Sequence, residues 1–207
     1  MNSFRDVELA LCLVNDPISI RMLDPEQKSG ANAVLCCGYV DHTAGLTFEV
    51  LSLASCVGND YTILPEYEKM GIKLRADSLD LNAVKPIRND ALMQRYGWRI
   101  KVLAEYYKNR EVVTCRAYKE FDEFRHPRFP DDILTVFVWS DQKGEKIWVR
   151  AEEPIKEENG LIVLKGRLLN EPNHRTHLHC GDQVIFGTFL ASDERLCVGI
   201  VPKEVLF

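Results

Sequence analysis

The segments ILTVFVW at 133–139, IWVRA at 147–151, LIVLKGRLL at 161–169, VIFGTFL at 184–190 and LCVGIV at 196–201 decide how this chain folds. Each is short and rich in β-branched and aromatic residues, and turn signals separate them at Lys143-Gly144, Asn159-Gly160, Gly181-Asp182 and Ser192-Asp193. That is the pattern of consecutive strands joined by tight connections. Strands so closely spaced predict a five-stranded antiparallel, small-barrel-like C-terminal portion over residues 130–207.

Upstream the pattern changes. Residues 119–132 mix charges, three phenylalanines and two prolines without helical or strand periodicity, so the domain boundary is placed between residues 125 and 130. The aromatic content predicts that this segment packs on something and is not a flexible linker. Residues 1–125 read as a mixed portion packed against the barrel, which makes the fold class α+β. Val7–Val14 reads as a buried strand closed by Asn15-Asp16-Pro17, and Asp24-Pro25 as the start of a one-turn helix. Residues 33–40 and 46–54 read as a hairpin around Asp41–Gly45, and residues 64–71 as a short helix. From an Asn89 or Asp90 cap, Leu92, Tyr96, Ile100, Leu103 and Tyr107 recur at helical spacing and predict a helix over 90–108. The alternative there is a hairpin, because Trp98, Ile100, Val102 and Ala104 also alternate and Gly97 weakens a helix. Val112–Tyr118 reads as a strand from its β-branched start.

The 207 residues carry a formal net charge of −5, which argues against a broadly electrostatic binder of nucleic acid or anionic lipid. The apolar run Leu9–Val14 is too short for a signal segment or a membrane span, so a cytoplasmic protein without membrane association is expected. Seven cysteines, an odd number and mostly set in apolar runs, read as buried thiols and not as a disulfide framework.

One resemblance is visible. Ile147-Trp148-Val149-Arg150-Ala151-Glu152-Glu153, then Gly166-Arg167-Leu168-Leu169-Asn170-Glu171-Pro172, then Gly181-Asp182-Gln183-Val184-Ile185-Phe186, resembles the YegJ-like small bacterial domains of unknown function. The likeness covers about residues 131–190. It implies a strand-rich architecture and brings no catalytic residues, because its motifs are strand and turn formers.

Chemistry-bearing constellations are few. His174, His177 and His179 form the one cluster with metal-ligand composition, and two histidines two apart on an extended chain share a face. His126 and Glu171 are the nearest further ligands. A metal-assisted hydrolase is therefore the enzymatic alternative, although the spacing matches no established zinc pattern. No Gly-x-Ser-x-Gly elbow, Gly-x-Gly-x-x-Gly loop or Gly-x-x-x-x-Gly-Lys loop occurs, so no cofactor is expected. Asp131-Asp132 and the paired glutamates read as solvated surface. Phe121, Phe124, Arg125, Arg128 and Phe129 carry the residue types that anchor interfaces, or alternatively plug the gap between the two halves. The expectation is a non-enzymatic protein-binding module, of the toxin-immunity or host-interaction kind, whose partner is another protein.

Overall fold

The structure, a computed structural model, describes residues 3–58, 60–68, 71–138, 144–173, 177–191 and 193–200. The chain divides into two units, Met1–Lys108 and Asn109–Phe207. The division falls upstream of the boundary expected at 125–130, because the irregular segment before the barrel belongs wholly to the second unit. Both units carry strands and helices, and the fold is α+β with a small closed barrel.

The first unit is built on an antiparallel sheet. Helix α1 (Phe4–Val7) precedes β1 (Leu11–Val14), α2 (Pro17–Leu23), β2 (Ala33–Asp41), β3 (Gly45–Val57), β4 (Asp60–Glu68), β5 (Lys73–Arg75), β6 (Val84–Ile87) and α3 (Asp90–Tyr106). The strand order is β4-β3-β2-β1-β6, with β5 also paired to β3. The expected hairpin is β2–β3, with Asp41 facing Gly45 at its turn. Both sheet faces are covered. Cys12, Val14, Val34, Cys36, Phe48 and Val50 pack with residues of α1 and α2 on one side. Leu11, Leu13, Leu35, Tyr39 and Leu51 pack under Tyr96, Ile100 and Leu103 of α3 on the other. A strand buried on both faces reads as a continuous apolar run, which is how β1 and β2 read.

Helix α3 forms where its periodicity predicts. The Asn89 side chain accepts a hydrogen bond from the Leu92 N–H at 3.0 Å, capping a first turn that would otherwise leave that donor unpaired. Three upstream expectations are corrected. Leu9 and Ala10 interrupt the first apolar run, leaving a helical turn before β1. Of the two Asp-Pro pairs, Asp16-Pro17 starts the helix: Asp16 accepts from the Ser19 N–H at 2.7 Å and Pro17 occupies the first turn. Asp24 instead follows that helix and accepts from Lys28, Ser29 and the Ser29 hydroxyl. Residues 64–68 lie in the edge strand β4 and not in a helix. The ladder passes from Leu53–Leu64 to Ser52–Glu68, so Pro65 falls in a bulge where its missing donor costs no ladder bond.

The second unit opens with α4 (Arg110–Ala117) and a 3-10 segment (Lys119–Phe124), followed by β7 (Asp132–Phe137), β8 (Glu145–Glu158), β9 (Leu161–Leu168), β10 (Gln183–Ala191) and β11 (Glu194–Ile200). The strand expected at 112–118 is therefore a helix. Asn109 caps it by accepting from Glu111 and Val112, and burial of Val112 and Cys115 on one face outweighs the local β preference. The five strands close in the order β10-β11-β7-β8-β9. Four seams are antiparallel, and the closing seam, β11 to β7, is parallel. This is a matter of parity: five consecutive strands alternating in direction leave the first and last pointing the same way.

The barrel interior is filled by Ile133, Phe137, Ile147, Val149, Leu164 and Phe186, with Phe121 of the 3-10 segment packed against Phe186 at a ring separation of 5.9 Å. Gly199 is required there: a Cβ on it would stand 2.1 Å from the Phe137 ring. Bulges near Ala151–Glu153 and Pro154–Lys156 bend the long strand β8 around the closure. Among the described residues, no helix is long and apolar enough to cross a membrane.

Candidate functional site

Of the five residues expected to bind a partner, Phe121 and Arg125 are turned inward. Phe121 is fully buried in the barrel core. The guanidinium of Arg125 is enclosed, donating to the carbonyls of Cys115 (2.8 Å), Tyr118 (3.1 Å) and Pro130 (2.6 Å) and to the Asp122 carboxylate (3.1 Å). Two of those carbonyls lie at the C-terminus of α4, where a cation complements both unpaired acceptors and the helix dipole. Arg125 is thus a helix cap. Phe124, Arg128 and Phe129 are half-buried and retain some surface. Between them His126 accepts from the Arg128 and Phe129 N–H groups, both at 3.2 Å, and packs edge-on to Trp148. Burial there holds its pKa below the usual histidine value.

Asp131 and Asp132, expected in solvent, are buried and each is held by an arginine. Arg116 of α4 grips Asp131 through two bonds of 2.9 Å, and Arg150 of β8 grips Asp132 at 2.7 and 3.0 Å. These bidentate pairs tie α4 and the segment before β7 to the sheet.

Of the histidine cluster, His174 lies outside the described residues. Leu178 turns into the barrel core and leaves His177 and His179 exposed on either side of it. His179 pairs through Nδ1 with Glu171 at 2.6 Å, and the other Glu171 oxygen accepts from the Cys180 N–H at 2.8 Å. The carboxylate beside it raises the His179 pKa, and the Cys180 N–H followed by His179 lowers that of Glu171. Both groups are exposed, and the arrangement fastens the loop between β9 and β10. Among the described residues, no three His, Cys, Asp or Glu side chains come together in a metal-binding group.

The outer face of the barrel presents a different feature. With Phe137, Phe186 and Cys197 inside, alternation sends their neighbours outward. Ile185 pairs with Ile200, Phe189 with Leu196, and Gly187 with Val198, which in turn lies beside Val136 of β7. Val138 follows one residue beyond the Phe137–Gly199 pair. Ile185 is 40% exposed, Ile200 49% and Val138 62%. The result is a continuous apolar strip across β7, β11 and β10. Lysines flank it, Lys146 opposite Val136 and Lys165 opposite Ile185.

The strip was readable in one respect. A barrel strand with a filled inside and a wetted outside alternates apolar with polar, as Val149-Arg150-Ala151-Glu152 of β8 does, whereas VIFGTFL and LCVGI carry apolar residues on both faces. No protein family, curated protein or solved structure matches the chain.

Proposed function

We propose that the chain is a binding protein whose partner is another protein, docked on the apolar outer strip of the barrel. The observation that carries this reading is the set of cross-strand pairs Ile185–Ile200, Phe189–Leu196 and Val198–Val136, contiguous on the outer face, with Ile185, Leu196 and Ile200 exposed and Val136, Phe189 and Val198 half-buried. Contiguous apolar surface of this kind, rimmed by polar residues, is what interaction sites present. Lys146 on the margin complements a partner whose own apolar patch has an acidic edge, whereas Lys165 is ion-paired with Glu153. Phe124, Arg128 and Phe129 supply further half-buried contact residues in the same unit.

The test is capture from the native cell extract by the wild-type chain and by an Ile185→Glu/Ile200→Glu double variant, followed by reconstitution with the purified partner. A stoichiometric protein should be retained by the wild type and lost by the double variant, whose thermal unfolding is unchanged. Affinity should fall at least about tenfold, since each lost apolar anchor is worth roughly 1–2 kcal/mol. No stoichiometric partner, or equal retention by the double variant, would overturn the proposal.

A further inference from the structure

Strand β3 carries a buried glutamate on the sheet face beneath α3. Glu49 is 0% exposed, and the ladder sets it between Cys37 of β2 and Lys73 of β5. The next row is Tyr39, Thr47 and Arg75. From α3, Arg99 holds both oxygens of Glu49, Nε at 2.5 Å and Nη2 at 2.9 Å. The Arg99 side chain is 25% exposed, and well-packed apolar residues in place of such a pair are often neutral or stabilising, so stability by itself does not require it.

A cavity of about 270 Å³ opens beside the pair. Glu49, Arg99, Lys73 and Tyr107 form its polar wall, and Val102, Leu103 and Tyr106 its apolar wall. Lys73 Nζ donates to the Tyr107 hydroxyl at 3.0 Å, and the Tyr107 ring stacks on Tyr39 with centroids 4.4 Å apart. Two cations thus face one carboxylate. Nearby groups do not supply the missing negative charge: burial pushes the Cys37 thiol up to about 12, and burial with the bond to Tyr107 pushes the Tyr39 phenol upward. Asp41 is engaged by Arg75 at 3.4 Å. Among the described residues, Arg99 Nη1 has no hydrogen-bond partner and Lys73 Nζ has one.

We infer that this cavity is a binding site for a small organic monocarboxylate. The carboxylate is received by Lys73 Nζ and Arg99 Nη1, and the hydrocarbon part lies against Val102, Leu103 and Tyr106. The buried Glu49 orients the guanidinium, so that two of its nitrogens are fixed and the third is available to the ligand. The volume lies just below the roughly 300–1,000 Å³ of typical ligand pockets, which restricts the occupant to the size of benzoate or a short-chain acid. A single uncompensated positive charge and an apolar wall suit a monoanion with a hydrocarbon body and not a phosphate dianion.

Isothermal titration of the full chain with benzoate, hexanoate, benzamide and inorganic phosphate tests this. One acid should bind at 1:1 stoichiometry with a Kd of about 1 mM or tighter, with benzamide and phosphate at least about tenfold weaker. Lys73→Met, on an exposed strand position, should weaken the acid at least about tenfold, and Val102→Trp should abolish binding by filling the cavity, with thermal unfolding recorded for both. The inference is overturned if neither acid saturates by about 10 mM, if phosphate binds as tightly, or if Lys73→Met binds the acid unchanged.

Discussion

Cys180 is exposed and Cys56 half-buried, while Cys12, Cys36, Cys37, Cys115 and Cys197 are buried. Burial raises the thiols of Cys12, Cys37, Cys115 and Cys197 to about 12, so their thiolate fraction at neutral pH is negligible. Maleimide labelling of the native protein, read by peptide mass spectrometry, should modify Cys180 first and the five buried cysteines only after denaturant is added. Gly199 makes a sharper prediction. Gly199→Ala drives a methyl group into the Phe137 ring and should cost about 1–3 kcal/mol in urea unfolding. His126 sets a pH dependence. Its folded pKa lies below the ordinary value because it is buried, so on acidification the unfolded chain takes up its proton first. Stability is then lost as the pH falls through about 6.5, and His126→Gln should flatten the fall in urea midpoint between about pH 7.5 and 5. At this scale the sequence showed which residues are apolar, and the cysteines set in apolar runs are buried as that context implies. It did not show that Asp131 and Asp132 are buried, because the arginines that neutralise them stand fifteen and eighteen residues away.

Elements were legible where one face repeats. Helix α3 satisfies its cap and its spacing together, and Gly97 is tolerated because it sits on the open side, where an added Cβ would meet only the Met93 side chain at 3.8 Å. Gly97→Ala should therefore stabilise the protein by about 0.5–1 kcal/mol, measured by thermal or urea unfolding. Helix α4 is not legible locally, because Val112 and Val113 favour strands, and the decision belongs to the contacts that bury Val112 and Cys115. Its anchor is the Arg116–Asp131 pair. Asp131→Ala removes both of these bonds from the buried Arg116 guanidinium and should cost about 3–5 kcal/mol in urea unfolding. A milder loss, below about 1 kcal/mol, would show that water reaches the guanidinium and that the clasp is peripheral.

At the level of the whole molecule, two apolar clusters of the described residues lie within Met1–Lys108 and one within Asn109–Phe207. The fragment 109–207 should accordingly fold by itself with a cooperative urea transition and strand-dominated circular dichroism, and a non-cooperative fragment would contradict this division. The α+β class and the five barrel strands were determined by the sequence alone, because hydrophobic periodicity and turn residues act over a few positions and need no partner to be read. A barrel was expected from the close spacing of the strands, but as an antiparallel one; the parallel β11–β7 seam is what closing five alternating strands requires. What tertiary structure decided is everything that depends on distant residues meeting: the helix at 110–117, the burial of Arg125 and the aspartate pair, and the assembly of Lys73, Arg99 and Tyr107 around Glu49. The physical reason is that a charge or a β-branched residue has no fixed place by itself. Its cost or benefit is set by what the folded chain brings within a few ångströms of it, and that information is spread over segments far apart in sequence.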